Sequence, residues 1–215
     1  MFPQSFLPPA EPLCASFLAA LPVQHAAIST LGDPFEQETV CSTDAVAARL
    51  DELQMDLGEG PCWQAQATGH PVLVPDLNDS TFTAWPTLQT AVIGHGIRSA
   101  YAIPLSVGLL DIGAVDLYAT SPDALTQSDI AEAVMLADTA ALVILERTLA
   151  RVDESPENAI WPRRLVHQAT GMVVAQLGVS AENALLIIRA HAFASNRPVR
   201  EVADDITARR LDFSS

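Results

Sequence analysis

Three side chains in the front half of the chain have types that could do nucleophilic chemistry: Cys62, His70 and Asp76. In such a set a thiolate attacks, an imidazole takes the proton and a carboxylate orients the imidazole. The pattern argues only weakly for that chemistry. Cys62 falls inside a short predicted helix, and a reactive thiolate needs a nearby cation. Residues 1–142 instead hold 17 Asp or Glu against only Arg49 and Arg98. The expectation is therefore a buried, inert thiol and no enzyme. Cys14, Cys41 and Cys62 are odd in number and widely spaced, with no CxxC or Cys/His ligand pattern. Free thiols are expected, with neither a disulfide framework nor a metal site. His25, His70 and His95 stand isolated.

A second set of side chains suits phosphate. The chain has no lysine, yet residues 160–215 carry seven arginines against five acids, in a protein of net charge −15. An overall pI of about 4.4 argues against wrapping a polyanion with the whole molecule but leaves room for one local basic face. Arg163, Arg164, Arg197 and Arg200 remain toward water once the apolar stripes around them turn inward. Their planar forks can donate in pairs to phosphate and stack on unpaired bases. Phe193 is expected in the core. A solvated basic face balanced by Glu201, Asp204 and Asp205 is the competing reading.

A third set is apolar. Trp63, Phe82, Trp85, Leu88 and Tyr101 could line a ligand pocket with Asp116 as its polar anchor, although aromatic clusters are more often plain core. An acidic surround disfavours anionic ligands there.

The elements that must position these groups can be read from period and punctuation. "LCASFLAAL" predicts a short helix stopped by Pro22, and "VQHAAISTL" and "EQETVCS" predict strands. "STDAVAARLDELQ" predicts a helix with Ser42 or Thr43 as N-cap. Pro61 and Gly69 bracket a two-turn helix, "PVLVPDL" is a short strand, and Pro86 starts a helix that Gly94 and Gly96 stop. "SAYAIPLSVGLLDIGAVDLYAT" predicts a hairpin turning at Gly108. The long run 126–151, capped by Thr126 or Ser128, predicts one helix. Its apolar residues Ile130, Val134, Ala137, Ala141, Ile144 and Leu145 make more stripe than one domain can cover, which suggests a homodimer. A polar stretch with two prolines, 153–162, precedes three short amphipathic helices. Their inward residues include Ala169 and Val173, then Ala184 and Ile188, then Val202 and Ile206. The order predicts an α+β domain with an antiparallel sheet flanked by helices, followed by a small all-α three-helix bundle. Residues 12–32 lack charge, but Pro12 and Pro22 interrupt them and no positive residue precedes them. A soluble, cytoplasmic protein without a membrane segment is expected.

"LGEGPCWQAQATGHPVLVPDL" and "GIRSAYAIPLSVGLLDIGAVDLYA" resemble a GAF sensor domain of the actinobacterial type. "RRLVHQATGMVVAQLGVSAENALLIIRAHAFASNRPVREVADDI" is similar to an ANTAR domain. The resemblance implies a GAF domain at 13–148, a linker at 149–160 and an ANTAR domain at 161–211. It implies transcription antitermination by a dimer that binds tandem RNA hairpins in transcript leaders. It also implies an unknown small-molecule ligand for the GAF domain, and no other cofactor. Gln168, Thr170, Gly171 and Asn196 then join Arg163, Arg164, Arg197 and Arg200 as RNA-binding candidates. The family's usual lysine is Thr170 here, and its usual glutamate is His167, so this stretch offers phosphate one cation fewer. Some GAF-like proteins are cysteine-based reductases of free methionine sulfoxide, which is what Cys62 would have to serve. A ligand-sensing or protein-interaction module with weak or no RNA binding is the alternative.

Overall fold

The computed structural model of the protein describes residues 11–31, 35, 37–79, 83–153, 164–195 and 197–213. The chain divides into two compact units, Met1–Asn158 and Ala159–Ser215.

The first unit runs α1 (Glu11–Ala20), β1 (His25–Thr30), β2 (Glu38–Ser42), α2 (Ala45–Leu57), α3 (Pro61–Thr68), β3 (Val72–Val74), α4 (Pro86–Gly94), β4 (Ser99–Val107), β5 (Leu110–Ala119) and α5 (Gln127–Asp153). The strands form one antiparallel sheet in the order β2-β1-β5-β4-β3. Side chains alternate across a sheet, so each strand serves two layers. Ile28, Tyr101, Ile103, Val115 and Leu117 face one core with Phe17 of α1 and Ala133, Ala137, Ala141 and Ile144 of α5. Tyr118 and Ala100 face the other way, with Leu50 of α2 and Leu88 and Val92 of α4.

Local chemistry sets the boundaries. Pro61 opens α3 and Gly69, at φ 65°, ends it. Gly108, at φ 64°, turns the β4–β5 hairpin. α5 opens with a reciprocal cap: the Thr126 amide donates to Asp129 at 2.7 Å and the Asp129 amide donates to Thr126 Oγ1 at 3.3 Å. The N-cap of α2 is Asp44, not Ser42 or Thr43. Its Oδ1 accepts from the amides of Val46 (2.8 Å) and Ala47 (3.0 Å), while Thr43 Oγ1 is taken by the Ala26 amide of β1.

Two further expectations fail in this unit. Cys14 and Cys41 are not free thiols: they form a disulfide between α1 and β2, 27 residues apart in sequence. Their spacing carries no motif, and only the crossing of α1 over the sheet brings them together. The α5 stripe offered for dimerisation is already covered. Ala137, Ala141 and Ile144 are buried in the sheet core, with Ile130, Val134 and Leu145 packed against it. Among the described residues, the exposed large apolar side chains of α5 are Met135, Leu142 and Leu149, at 71%, 52% and 59% exposure.

The second unit is three helices, α6 (Arg164–Leu177), α7 (Ala181–Ala194) and α8 (Val199–Thr207). Val166, Ala169, Val173, Ala184, Ile188, Ala192, Val199, Val202, Ala203 and Ile206 form its core, each large aliphatic worth roughly 1.5–3 kcal/mol on burial. Gly178 at φ 67° ends α6, and Ser180 caps α7 by accepting from the Asn183 amide at 3.2 Å. Phe193 is not core. It is 67% exposed, because the inward stripe of α7 runs through Ala184, Ile188 and Ala192.

Candidate sensor core and candidate nucleic-acid interface

In the first unit, the sheet face beneath α2 and α3 holds a polar cluster built around Gln54. The inward stripe of α2 is Ala47, Leu50, Asp51, Gln54 and Met55, which puts two polar side chains into a core. Gln54 Nε2 donates to Asp116 Oδ2 at 2.8 Å and to Tyr118 Oη at 3.0 Å, and its Oε1 accepts from the Cys62 amide at 3.1 Å. Its backbone carbonyl accepts from Trp63 Nε1 at 2.9 Å. Gly60 is required beside it: at φ 137°, a Cβ there would sit 2.3 Å from Gln54 Oε1. Asp51 accepts from the hydroxyls of Ser29 and Thr39.

Asp116 is 1% exposed, and its Oδ1 finds no hydrogen-bond partner among the described residues. Burial, reinforced by the nearby Asp51 charge and opposed by the Gln54 hydrogen bond, pushes its carboxyl well above the usual range. That shift favours the protonated form, which can donate a hydrogen bond. Burial also pushes up Cys62, with Asp116 and Asp51 adding to the effect, and Tyr118 likewise.

Of the apolar set, Trp63 packs with Leu31, Met55, Cys62 and Ala114, while Trp85 and Leu88 pack with Leu50 and Tyr118. These flank Asp116 on the same sheet face. Tyr101 does not: it lies on the opposite face, and its hydroxyl accepts from the Leu125 amide at 3.3 Å. Phe82 lies outside the described residues. Cys62, His70 and Asp76 are each committed elsewhere. Cys62 is fully buried, exposed His70 has Nδ1 at 2.6 Å from the Thr68 carbonyl, and Asp76 takes Arg98 Nη2 at 2.9 Å.

In the second unit, Gln168 and Gly171 lie on the exposed side of α6 and Arg200 on that of α8. A Cβ at Gly171 would meet nothing within 4 Å, so the helix surface is open there. Thr170 turns its hydroxyl back to the Val166 carbonyl at 2.8 Å. Arg197 is already paired. Its Nη2 donates to Asp205 at 2.7 Å and its Nε to Glu201 at 3.4 Å, and Arg210 Nε takes the other Asp205 oxygen at 2.7 Å. Arg210 also pairs with Asp204. Hydrogen bonds from Arg197 and then Arg210 hold the Asp205 carboxyl below the usual range. Arg163 and Asn196 lie outside the described residues, as does the side chain of Arg164, whose backbone begins α6.

Residues 13–145 match the family model described as GAF domain, and residues 157–206 match the one described as ANTAR domain. The chain belongs to the GAF family and carries an ANTAR domain. A sensory domain joined to an RNA-binding domain makes it a signal-controlled regulator. The GAF fold recurs in solved structures. A domain of a two-component sensor histidine kinase protein from Sinorhizobium meliloti 1021 superposes with TM-score 0.53 at 19% identity, covering 68% of this chain and 94% of that one. The GAF domain region of a membrane protein from Geobacter sulfurreducens PCA gives 0.51 at 17% identity, over 62% and 89%. GAF3 from Slr1393 of Synechocystis sp. PCC6803, in its photoproduct state, gives 0.51 at 14%, over 68% and 97%. At these identities the likeness is one of fold. No curated protein matched the chain. Among the described residues, no single helix is long and apolar enough to cross a membrane.

Sequence reasoning missed Gln54, Asp51 and Tyr118 in the GAF domain. Gln54 sits one turn after Leu50 on an otherwise apolar stripe, a signal that was available. Tyr118 shares strand parity with Asp116, whereas Tyr101 is cross-strand partner of Leu117 and shares its face. In the ANTAR domain, Asp205 was among the acids expected to balance the basic face, and the structure makes it the shared partner of Arg197 and Arg210.

Proposed function

We propose that this chain is a cytoplasmic, dimeric regulator that binds RNA hairpins through its ANTAR domain to promote transcription antitermination, under control of its GAF domain. One observation carries the reading. The tail folds as a separate three-helix unit, slightly basic behind a strongly acidic domain, with Gln168, Gly171 and Arg200 exposed on it. Arg200, Arg163 and Arg164 supply attraction to phosphate, and Gln168 and Asn196 supply hydrogen bonds to bases.

In the GAF domain, Trp63, Trp85 and Leu88 lie on the sheet face that carries Asp116, whose Oδ1 has no hydrogen-bond partner among the described residues. A buried carboxyl biased toward its protonated form suits an uncharged ligand with an acceptor, and disfavours an anion. No catalytic step is assigned. Cys62 has the wrong environment for a thiolate, since burial and neighbouring carboxylates both oppose ionisation.

The dimer contact we propose is the exposed seam Met135, Leu142 and Leu149 on α5. Its seven-residue spacing is that of one position in successive heptads, which a second copy of the helix can cover.

A second reading is favoured by the pairing of Arg197 with Asp205 and Glu201, and by Thr170: a sensing or protein-interaction module with weak RNA affinity. Titration of the full chain with a tandem-hairpin RNA at several salt concentrations decides between them. Tight, salt-sensitive binding supports the first, and its absence supports the second.

A further inference from the structure

The disulfide joins two peripheral elements of the GAF domain. α1 is a ten-residue helix, and β2 is the outermost strand, paired only with β1 and irregular in register between Ile28 and Ser29. Both sulfurs lie in the core shared with Ala133, Ala137, Ala140, Ala141 and Ile144 of α5. α1 itself packs against α5 as well as against β1 and β2. The β1–β5–β4 pairings at the centre of the sheet involve neither cysteine. The bond therefore fastens α1 across the edge of the sheet and beside α5, without being needed to build the sheet.

In a reducing cytoplasm, the compartment proposed above, a protein disulfide is usually transient and serves catalysis or redox sensing. Catalysis on a separate substrate has no support here: Cys14 and Cys41 are both buried, at 1% and 8% exposure, so reagents meet them when the sheet edge opens locally.

We propose that Cys14–Cys41 is a reversible thiol–disulfide site, closed by hydroperoxides and opened by low-molecular-weight thiols, and that opening it loosens α1 from α5. Closing starts at Cys41, the less deeply buried of the two residues, on the outermost strand, when that edge opens locally. Its thiolate attacks the terminal oxygen of ROOH, the O–O bond breaks, and the alkoxide takes a proton to leave as ROH. The resulting sulfenic acid is attacked by the Cys14 sulfur, which forms the S–S bond and expels the sulfenic oxygen as water. Two thiols and one hydroperoxide thus become a disulfide, an alcohol and water, with two electrons passing from sulfur to peroxide. Opening is the exchange of two small thiols, RSH, through a mixed disulfide on Cys41, which returns both cysteines as thiols and releases RSSR. Cys62 takes no part. It is fully buried, and burial holds it as the thiol.

The test uses the full chain. Protein treated with hydrogen peroxide or with dithiothreitol is denatured and alkylated with N-ethylmaleimide, and native samples of each are compared by hydrogen exchange. With three cysteines in the chain, oxidised protein should take one label and reduced protein three. A return to peroxide should restore the first result. On reduction, amides of α1 and of α5 residues 133–144 should exchange at least about tenfold faster, while those of β4 and β5 hold. Cys41→Ser should show the exchange of the reduced protein in either reagent and take two labels in both. If that variant fails to fold, the two redox states of the unaltered chain still decide. Three labels after peroxide, or identical exchange in the two states, overturns the proposal.

Discussion

Arg197 and Arg210 grip opposite oxygens of a single carboxylate, Asp205, each at 2.7 Å. A charge so placed shapes the fold before it meets any ligand. Arg197 ties the segment entering α8 to the helix's last turn, and both oxygens of Asp205 are occupied. Arg200, one helical step into α8, is exposed.

That contrast separates two arginine substitutions. Arg197→Ala should lower the melting temperature of the ANTAR domain, and Arg200→Ala should leave it unchanged. Because Arg197 and Arg210 hold the Asp205 carboxyl below its ordinary value, their contribution is present at neutral pH. It should fade as pH falls through the folded value of Asp205. The melting difference between Arg197→Ala and the unaltered chain, read by calorimetry, should therefore shrink in acid. A difference that grows in acid would contradict this pairing.

Asp116 has the opposite sign. Its carboxyl is raised in the folded state, so folding retains a proton that the unfolded chain releases above pH about 3.9. Stability must then fall as pH rises from that value toward the folded one, by up to about 1.4 kcal/mol per pH unit. Asp116→Asn keeps an acceptor for Gln54 Nε2 and removes the titration. In urea unfolding from about pH 5 to about pH 7, the variant should gain on the unaltered chain as pH rises. Parallel pH profiles would show that Asp116 ionises freely in the fold.

Gly113 tests the closeness of β1 to β5. A Cβ there would stand 1.9 Å from the Ser29 carbonyl oxygen, which is backbone and cannot swing away. Gly113→Ala should cost about 3 kcal/mol by overpacking. Gly69→Ala, where a Cβ meets nothing within 4 Å, carries only the strain of φ 65° and should cost about 1 kcal/mol. Chemical denaturation of the two variants orders them, and equal losses would refute the close approach.

The α5 seam predicts its own disruption. Changing Leu142 and Leu149 to Glu places charges where an apolar partner is proposed, and sedimentation should show monomers where the unaltered chain is dimeric. Since both residues are more than half exposed in the single chain, melting of the isolated monomer should barely change. A monomeric unaltered chain at micromolar concentration would remove the seam from the account.

Periodicity and punctuation made most of the fold readable. Pro61, Gly69, Pro86 and Gly108 each mark a boundary where the structure has one, because a fixed φ or a positive φ is a local requirement. What stayed hidden depends on distant packing. The Cys14–Cys41 bond needs α1 laid over a sheet edge. Two misreadings were avoidable. Strand parity separates Tyr101 from Asp116 and joins Tyr118 to it. The helical period likewise turns Ala184, Ile188 and Ala192 inward and leaves Phe193 outside.

The proposed activity is the binding of hairpin RNA by the ANTAR domain through arginines such as exposed Arg200 on an otherwise acidic protein. The most direct measurement is the affinity of the full chain for a tandem-hairpin RNA across a salt series, with Arg200→Ala and Arg197→Ala alongside. Affinity should fall steeply with salt. Arg200→Ala should reduce the slope by about one, and Arg197→Ala by less, since its charge is already matched. Binding that is absent, or indifferent to salt in all three proteins, would contradict it.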